Sequence, residues 1–245
     1  MKLSEHLAEG TFLVRLNRFA ALVKTQAGEE LVHVANSGRL RELLMEGNRV
    51  LLTPIAPRPG RKTRFDLSLV DLGRTLVSAD ARLPSALVCE ALEAGQIPEL
   101  RGYSKIVREA RFEDSRLDLM LTRDGQRCYV EVKSVTLVEN GMALFPDAPT
   151  TRGQRHVAAL ARAVQQGWRA AVVFVVQRQD AVAFAPHDSA DPAFGKGLRA
   201  AHQLGVEVYA YSCAVDLWQI SLKERLPVVL DAGREAQTSH GRSAP

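Results

Sequence analysis

Residues 115–134, SRLDLMLTRDGQRCYVEVKS, constrain the fold more than any other stretch of this chain. Two runs of alternating apolar and polar residues flank Asp124-Gly125, and an Asp-Gly pair in that setting specifies a tight two-residue hairpin turn. With this turn Arg123 faces Gln126, and the same register sets Asp118 across from Glu131. Side chains alternate along a strand, so Lys133 shares the Glu131 face. The other face carries Leu117, Leu119, Leu121, Cys128, Val130 and Val132 and reads as the core side.

Two carboxylates opposed across a strand pair repel each other, so their placement needs a reason. Together they make a site for a hard cation such as Mg²⁺ or Mn²⁺. A lysine beside them can orient a water or stabilise charge on a phosphate. The layout, Asp118 followed by Glu131-x-Lys133 on the next strand, resembles the PD-(D/E)XK nuclease motif. That resemblance implies catalytic roles for Asp118, Glu131 and Lys133, with metal held by Asp118 and Glu131. The plainer reading is an amphipathic hairpin with a solvated polar face, since short motifs recur by chance. No organic cofactor is expected.

A chain of 245 residues, 46% apolar and 24% charged, has the composition of a globular protein of one large or two small domains. No apolar run reaches membrane-spanning length, and MKLSEHLAEG lacks the apolar core of a secretion signal. Cys89, Cys128 and Cys213 lie too far apart for a disulfide framework or a zinc cluster. A reduced, cytoplasmic setting with no membrane partner is expected. The net charge of +4 is unevenly spread: residues 1–82 hold 13 Lys and Arg against 9 Asp and Glu, and the rest is balanced. A basic first third suits a polyanion such as DNA.

Residues 1–82 read as short strands separated by turns. FLVRLNRFAALV is a strand or a bent strand pair, and LVHVAN, RVLLTPIA and TRFDLSLVDLG are further strands. The pattern suits a small five-stranded OB-like barrel, an architecture that often binds nucleic acid, though other small barrels share it. From residue 83 the pattern alternates. LPSALVCEALEAG is a helix with Pro84 in its first turn, YSKIVREARF is a strand, and the hairpin follows. TRGQRHVAALARAVQQG is a helix, RAAVVFVVQR a strand buried on both faces, DPAFGKGLRAAHQLG a helix and VEVYAYSC a strand. Residues 83–231 are therefore expected to form a mixed sheet flanked by helices, a nuclease-like α/β domain behind the barrel. The polar residues 232–245 carry no pattern and are expected to be a disordered tail.

Seven strings, FLVRLNRF, HVANSGRL, RKTRFDLSLV, SRLDLML, YVEVKSVTLV, FPDAPTTRG and DPAF, occur in one order, and the resemblance they carry runs over residues 12–230. They resemble the sugar fermentation stimulation protein A (SfsA) family. The resemblance implies an OB-like domain followed by a PD-(D/E)XK-like domain. It also implies DNA binding without strong sequence preference and a regulatory role in sugar (maltose) metabolism. An active Mg²⁺-dependent nuclease hydrolysing phosphodiester bonds is the alternative.

Further candidates carry two readings each. Glu90 either joins the metal site, as a helix glutamate does in some nuclease-like folds, or is an exposed carboxylate beside Glu93. Asp147 either approaches the site or is a turn residue between prolines. Arg152 sits in the first turn of its helix, against the macrodipole, which suggests a phosphate contact; a solvated face with Arg155 and Arg162 fits as well. His156 shares the Arg152 face but has no second His or Cys at ligand spacing, so it is not read as a ligand. Arg58, Arg61, Lys62 and Arg64 form a basic loop suited to phosphate contacts, and Arg15, Arg18 and Arg39 extend it. Phe12, Phe19 and Phe65 are expected in the core, with base stacking as the second reading.

Overall fold

A computed structural model describes residues 1–4 and 6–231. The expectation for residues 232–245 lies outside the described residues. The first part is a sheet of six strands: β1 (Ala8–Asn17), β2 (Ala20–Thr25), β3 (Gly28–His33), β4 (Arg49–Pro54), β5 (Phe65–Asp71) and β6 (Leu76–Ser78). Their order is β3-β2-β1-β4-β5-β6, and an added parallel pairing of β3 with β5 closes β1–β5 into a barrel. Phe12, Val23, Val32, Val50, Leu52 and Leu67 fill its interior. The alternating sequence of β5 predicts one buried face, yet residues 66–70 are all buried. The reason is a second layer: Leu51 and Leu69 turn outward from the barrel and pack on Leu87 and Val88 of helix α1 (Leu83–Glu93).

The second part centres on a six-stranded sheet of β7 (Lys105–Phe112), β8 (Ser115–Arg123), β9 (Gln126–Val135), β12 (Arg169–Val176), β14 (Glu207–Val215) and β15 (Ile220–Leu226). The order is β15-β14-β12-β9-β8-β7, with β9, β12 and β14 parallel and the outer strands antiparallel. Helix α1 covers one face. Helices α2 (Thr151–Gln165) and α3 (Pro192–Gln203) cover the other. The Thr150 hydroxyl caps α2 by accepting from Gly153 N. Asp191 caps α3 through Phe194 N and accepts from Thr150 N, so one carboxylate orients both helix starts.

Between Val135 and α2, where no element is expected, lie β10 (Val138–Glu139) and β11 (Met142–Phe145). Asn140 and Gly141 turn between them with positive φ, and β11 pairs with β13 (Ala183–Pro186). Asn-Gly is a hairpin signal as strong as Asp-Gly, but only two residues pair on each side, too few to show a period. No helix among the described residues is long and apolar enough to cross a membrane.

Candidate functional site

The hairpin turn adopts the φ values it needs, +50° at Asp124 and +81° at Gly125. The ladder runs from Arg123–Gln126 to Leu119–Val130, as the turn dictates. There it stops. β9 continues alongside β12 and β8 alongside β7, so the hairpin forks at the carboxylates. In place of a main-chain bond, Asp118 Oδ2 accepts from Val132 N at 2.8 Å. The two carboxylates thus occupy the mouth of the fork instead of facing each other across an unbroken ladder.

The site is buried. Glu131 is 2% exposed, because α2 lies over its face of the sheet. Glu131 Oε1 accepts from Lys133 Nζ at 2.6 Å and from His156 Nδ1. Glu131 Oε2 is equally buried and has no hydrogen-bond partner among the described residues. Burial by itself pushes the Glu131 carboxyl up; the His156 hydrogen bond and the Lys133 charge outweigh it and hold the group below its ordinary value. Burial first, and then the Glu131 charge, raises Asp118 above its ordinary value. An ionised, half-satisfied glutamate beside a reluctant aspartate is a poor arrangement for a lone protein. It is a suitable one for a hard cation.

His156 is the residue that sequence reasoning left out. It is buried in the α2 stripe that also holds Gly153, Val157 and Leu160. A polar side chain inside that apolar stripe was the available signal. Glu90 is not brought to the site. α1 turns Leu87, Val88 and Cys89 toward Val130 and Val132, the face opposite Glu131. Glu90 is left exposed and pairs with the Met1 amino group at 2.9 Å. Among the described residues no cluster of three or more His, Cys, Asp or Glu is arranged as a metal cage.

A cleft of about 540 Å³ separates the two parts. Arg18, Asn36 and Gly38 line its barrel side, and Ser134, Asp147 and Arg152 line the other. Asp147 is a domain contact: its Oδ2 accepts from Leu40 N at 3.1 Å. Arg39 lies on the neighbouring surface, also beside Asp147. Three cations read as phosphate contacts are engaged within the fold. Arg15 donates to the carbonyls of Arg18, Asn36, Gly38 and Arg39, which fixes the barrel wall of the cleft. Arg61 pairs with buried Asp66, and Arg64 with Glu30. Arg18, Arg39, Arg58, Lys62 and Arg152 are exposed and form no ion pair among the described residues. Phe12 is in the core and Phe65 partly so, but Phe19 is 47% exposed, against expectation, because it occupies the β1–β2 turn.

An OB barrel joined to a nuclease-type α/β domain, with a carboxylate–lysine group in the fork of the second sheet, defines the class of this protein. The N-terminal part matches the family described as SfsA N-terminal OB domain over residues 13–79, and residues 82–219 match the Sugar fermentation stimulation protein RE domain. The chain belongs to the sugar fermentation stimulation protein (SfsA) family. It is 44% identical over 230 residues to a sugar fermentation stimulation protein homolog of Caldanaerobacter subterraneus, covering 94% of this chain and 100% of that one. The homolog of Moorella thermoacetica is 46% identical over 224 residues, covering 91% of this chain and 96% of that one. The solved structure of Pyrococcus furiosus SfsA in complex with Ca²⁺ superposes with a TM-score of 0.85 at 34% identity, covering 94% of this chain and 99% of that one.

Proposed function

We propose that this protein binds DNA without strong sequence preference and carries a divalent-cation site at Asp118 and Glu131. The observation behind the binding reading is the distribution of unpaired cations. OB barrels take oligonucleotides through the β1–β2 and β4–β5 loops. Here Arg18 stands in the first, and Arg58 and Lys62 in the second. Such contacts hold phosphates and do not read bases. The relatives are named for sugar fermentation stimulation, and a regulatory role in sugar metabolism is part of the proposal. A cytoplasmic location goes with it.

The buried Glu131 Oε2 without a partner supports a second reading, a working nuclease. Asp118 and Glu131 would hold Mg²⁺ or Mn²⁺, which accept one or two carboxylates and fill the remaining positions with water and substrate phosphate. The Ca²⁺ complex of the Pyrococcus relative favours a cation of this hard class. Such a cation supplies positive charge at a phosphodiester and lowers the pKa of a nearby water. Lys133 and His156 fix Glu131 through Oε1 and leave Oε2 free. Lys133 also stands ready to stabilise charge on a phosphate.

Gel retardation with unrelated DNA sequences tests the binding reading. Retardation is expected for all of them, falling steeply with salt as phosphate contacts require. Absence of retardation at low salt overturns it. For the nuclease, DNA is incubated with Mg²⁺ or Mn²⁺ against an EDTA control. Glu131→Ala and Lys133→Ala are each expected to lose cleavage by about 100-fold or more. Cleavage unchanged in both variants overturns the assignment.

A further inference from the structure

We infer that the DNA taken by this protein is single-stranded, threading the cleft between the two parts and stacking a base on Phe19. The inference rests on the DNA-binding reading above and specifies its ligand. Phe19 is 47% exposed, yet its main chain is rigid: its N–H donates to Asn17 Oδ1 at 2.9 Å, and its carbonyl accepts from Val34 N at 2.9 Å. His33 Nδ1 also lies 3.0 Å from that carbonyl, and its ring stands beside the Phe19 ring at 6.3 Å with a 30° tilt. The turn therefore presents an aromatic face at fixed orientation, next to Arg18, which lines the cleft. A duplex keeps its base faces stacked on one another, and a phenylalanine outside it has nothing to stack on. A single strand offers the face of every base, whatever its identity.

The cleft supports the same ligand. At about 540 Å³ it lies within the range of roughly 300–1,000 Å³ that small-molecule pockets span. That is the scale of a nucleotide, not of two paired strands. Its cations are Arg18 at the barrel and Arg152 at the start of α2. Between them Ser37, Ser134 and Thr150 place hydroxyl groups, the neutral partners that sugars and unpaired base edges need. Ser134 directly follows Lys133, and Arg152 precedes His156 by one helical turn, so the cleft wall is built from the same strand and helix that hold Glu131. A strand held at Phe19 would run between Arg18 and Arg152 along the cleft.

Fluorescence anisotropy in EDTA, which keeps strands uncut, compares one labelled single strand with the same sequence as a duplex. The single strand is expected to bind more tightly. Phe19→Ala should weaken it by about 10-fold or more, the worth of one stacked base, and leave duplex affinity unchanged, while Phe19→Trp should retain tight binding. Equal affinity for the two forms, with no effect of Phe19→Ala, overturns the single-strand inference and leaves the DNA-binding reading standing. Binding to neither form overturns both.

Discussion

At the scale of single residues, the ionised Asp118–Glu131 pair is a source of instability that a bound cation would relieve. Asp118 is raised above its ordinary value, so the folded protein binds that proton more tightly than the unfolded chain. The sign follows directly: ionising Asp118 costs stability, and the cost accrues as pH rises from the ordinary value of 3.8 through the higher folded one. Asp118→Asn keeps an acceptor for Val132 N and removes the charge. In metal-free protein at pH 7 it should stabilise by up to about 1 kcal/mol, the worth of an opposed like charge. That is about 2–4 °C in Tm, and the gain should vanish below about pH 4. Added Mg²⁺ should raise the Tm of wild type and not of the variant. Melting curves across pH, with and without the cation, check both statements.

At the scale of elements, the β4–β5 loop divides its cations between two tasks. Arg61 and Arg82 both pair with Asp66, whose side chain is 4% exposed. Burial pushes the Asp66 carboxyl up, and Arg82 and Arg61 more than reverse it, leaving it below its ordinary value. That contribution is complete above the ordinary carboxylate value and is lost as pH falls through the lower folded one. Arg61→Ala should therefore cost about 1–3 kcal/mol at neutral pH, because Asp66 stays buried with one partner fewer. It should leave the salt dependence of DNA binding unchanged. Arg58→Ala or Lys62→Ala should do the opposite: Tm stays the same, and the salt slope becomes shallower by about 1 for each phosphate no longer held. Melting curves and salt titrations of the three variants separate the tasks.

At the scale of the whole molecule, the two parts are joined by polar bonds. Ser78 of the barrel hydrogen-bonds to Gln177 at the end of β12, and Gln177 in turn donates to Ser134 beside the site. Across the cleft Asp147 accepts from Leu40 N, packed so closely on Gly38 that a methyl there would meet Asp147 Oδ2 at 2.6 Å and Oδ1 at 3.0 Å. Gly38→Ala should push the carboxylate off Leu40 N and cost about 1–2 kcal/mol. The expected loss is about 2–4 °C in Tm per kcal/mol, read in a thermal melt.

Much of this was legible along the chain. Local chemistry determined the hairpin, because an Asp-Gly turn needs positive φ at both positions and alternation then fixes the common face of Leu119, Leu121, Cys128, Val130 and Val132. Leu117, expected with them, lies beyond the fork and packs in the other cluster with Tyr129. Local chemistry likewise determined the helices, through Pro84 at the start of α1 and the helical spacing of Val157, Leu160 and Val164 in α2, and the barrel-then-α/β order. Tertiary structure decided what spacing does not encode. Whether β5 is covered on one face or two depends on α1 packing behind it. Whether Arg61 meets a phosphate or Asp66 depends on a carboxylate five residues away being buried. His156 joins Glu131 across 25 residues of sequence, and Glu90 misses it because α1 packs on the opposite face. The fork at Asp118 arises because β8 and β9 each follow a different outer neighbour. A hairpin's register is a local property; which layer covers each face, and which partner a buried charge finds, are properties of the packed whole.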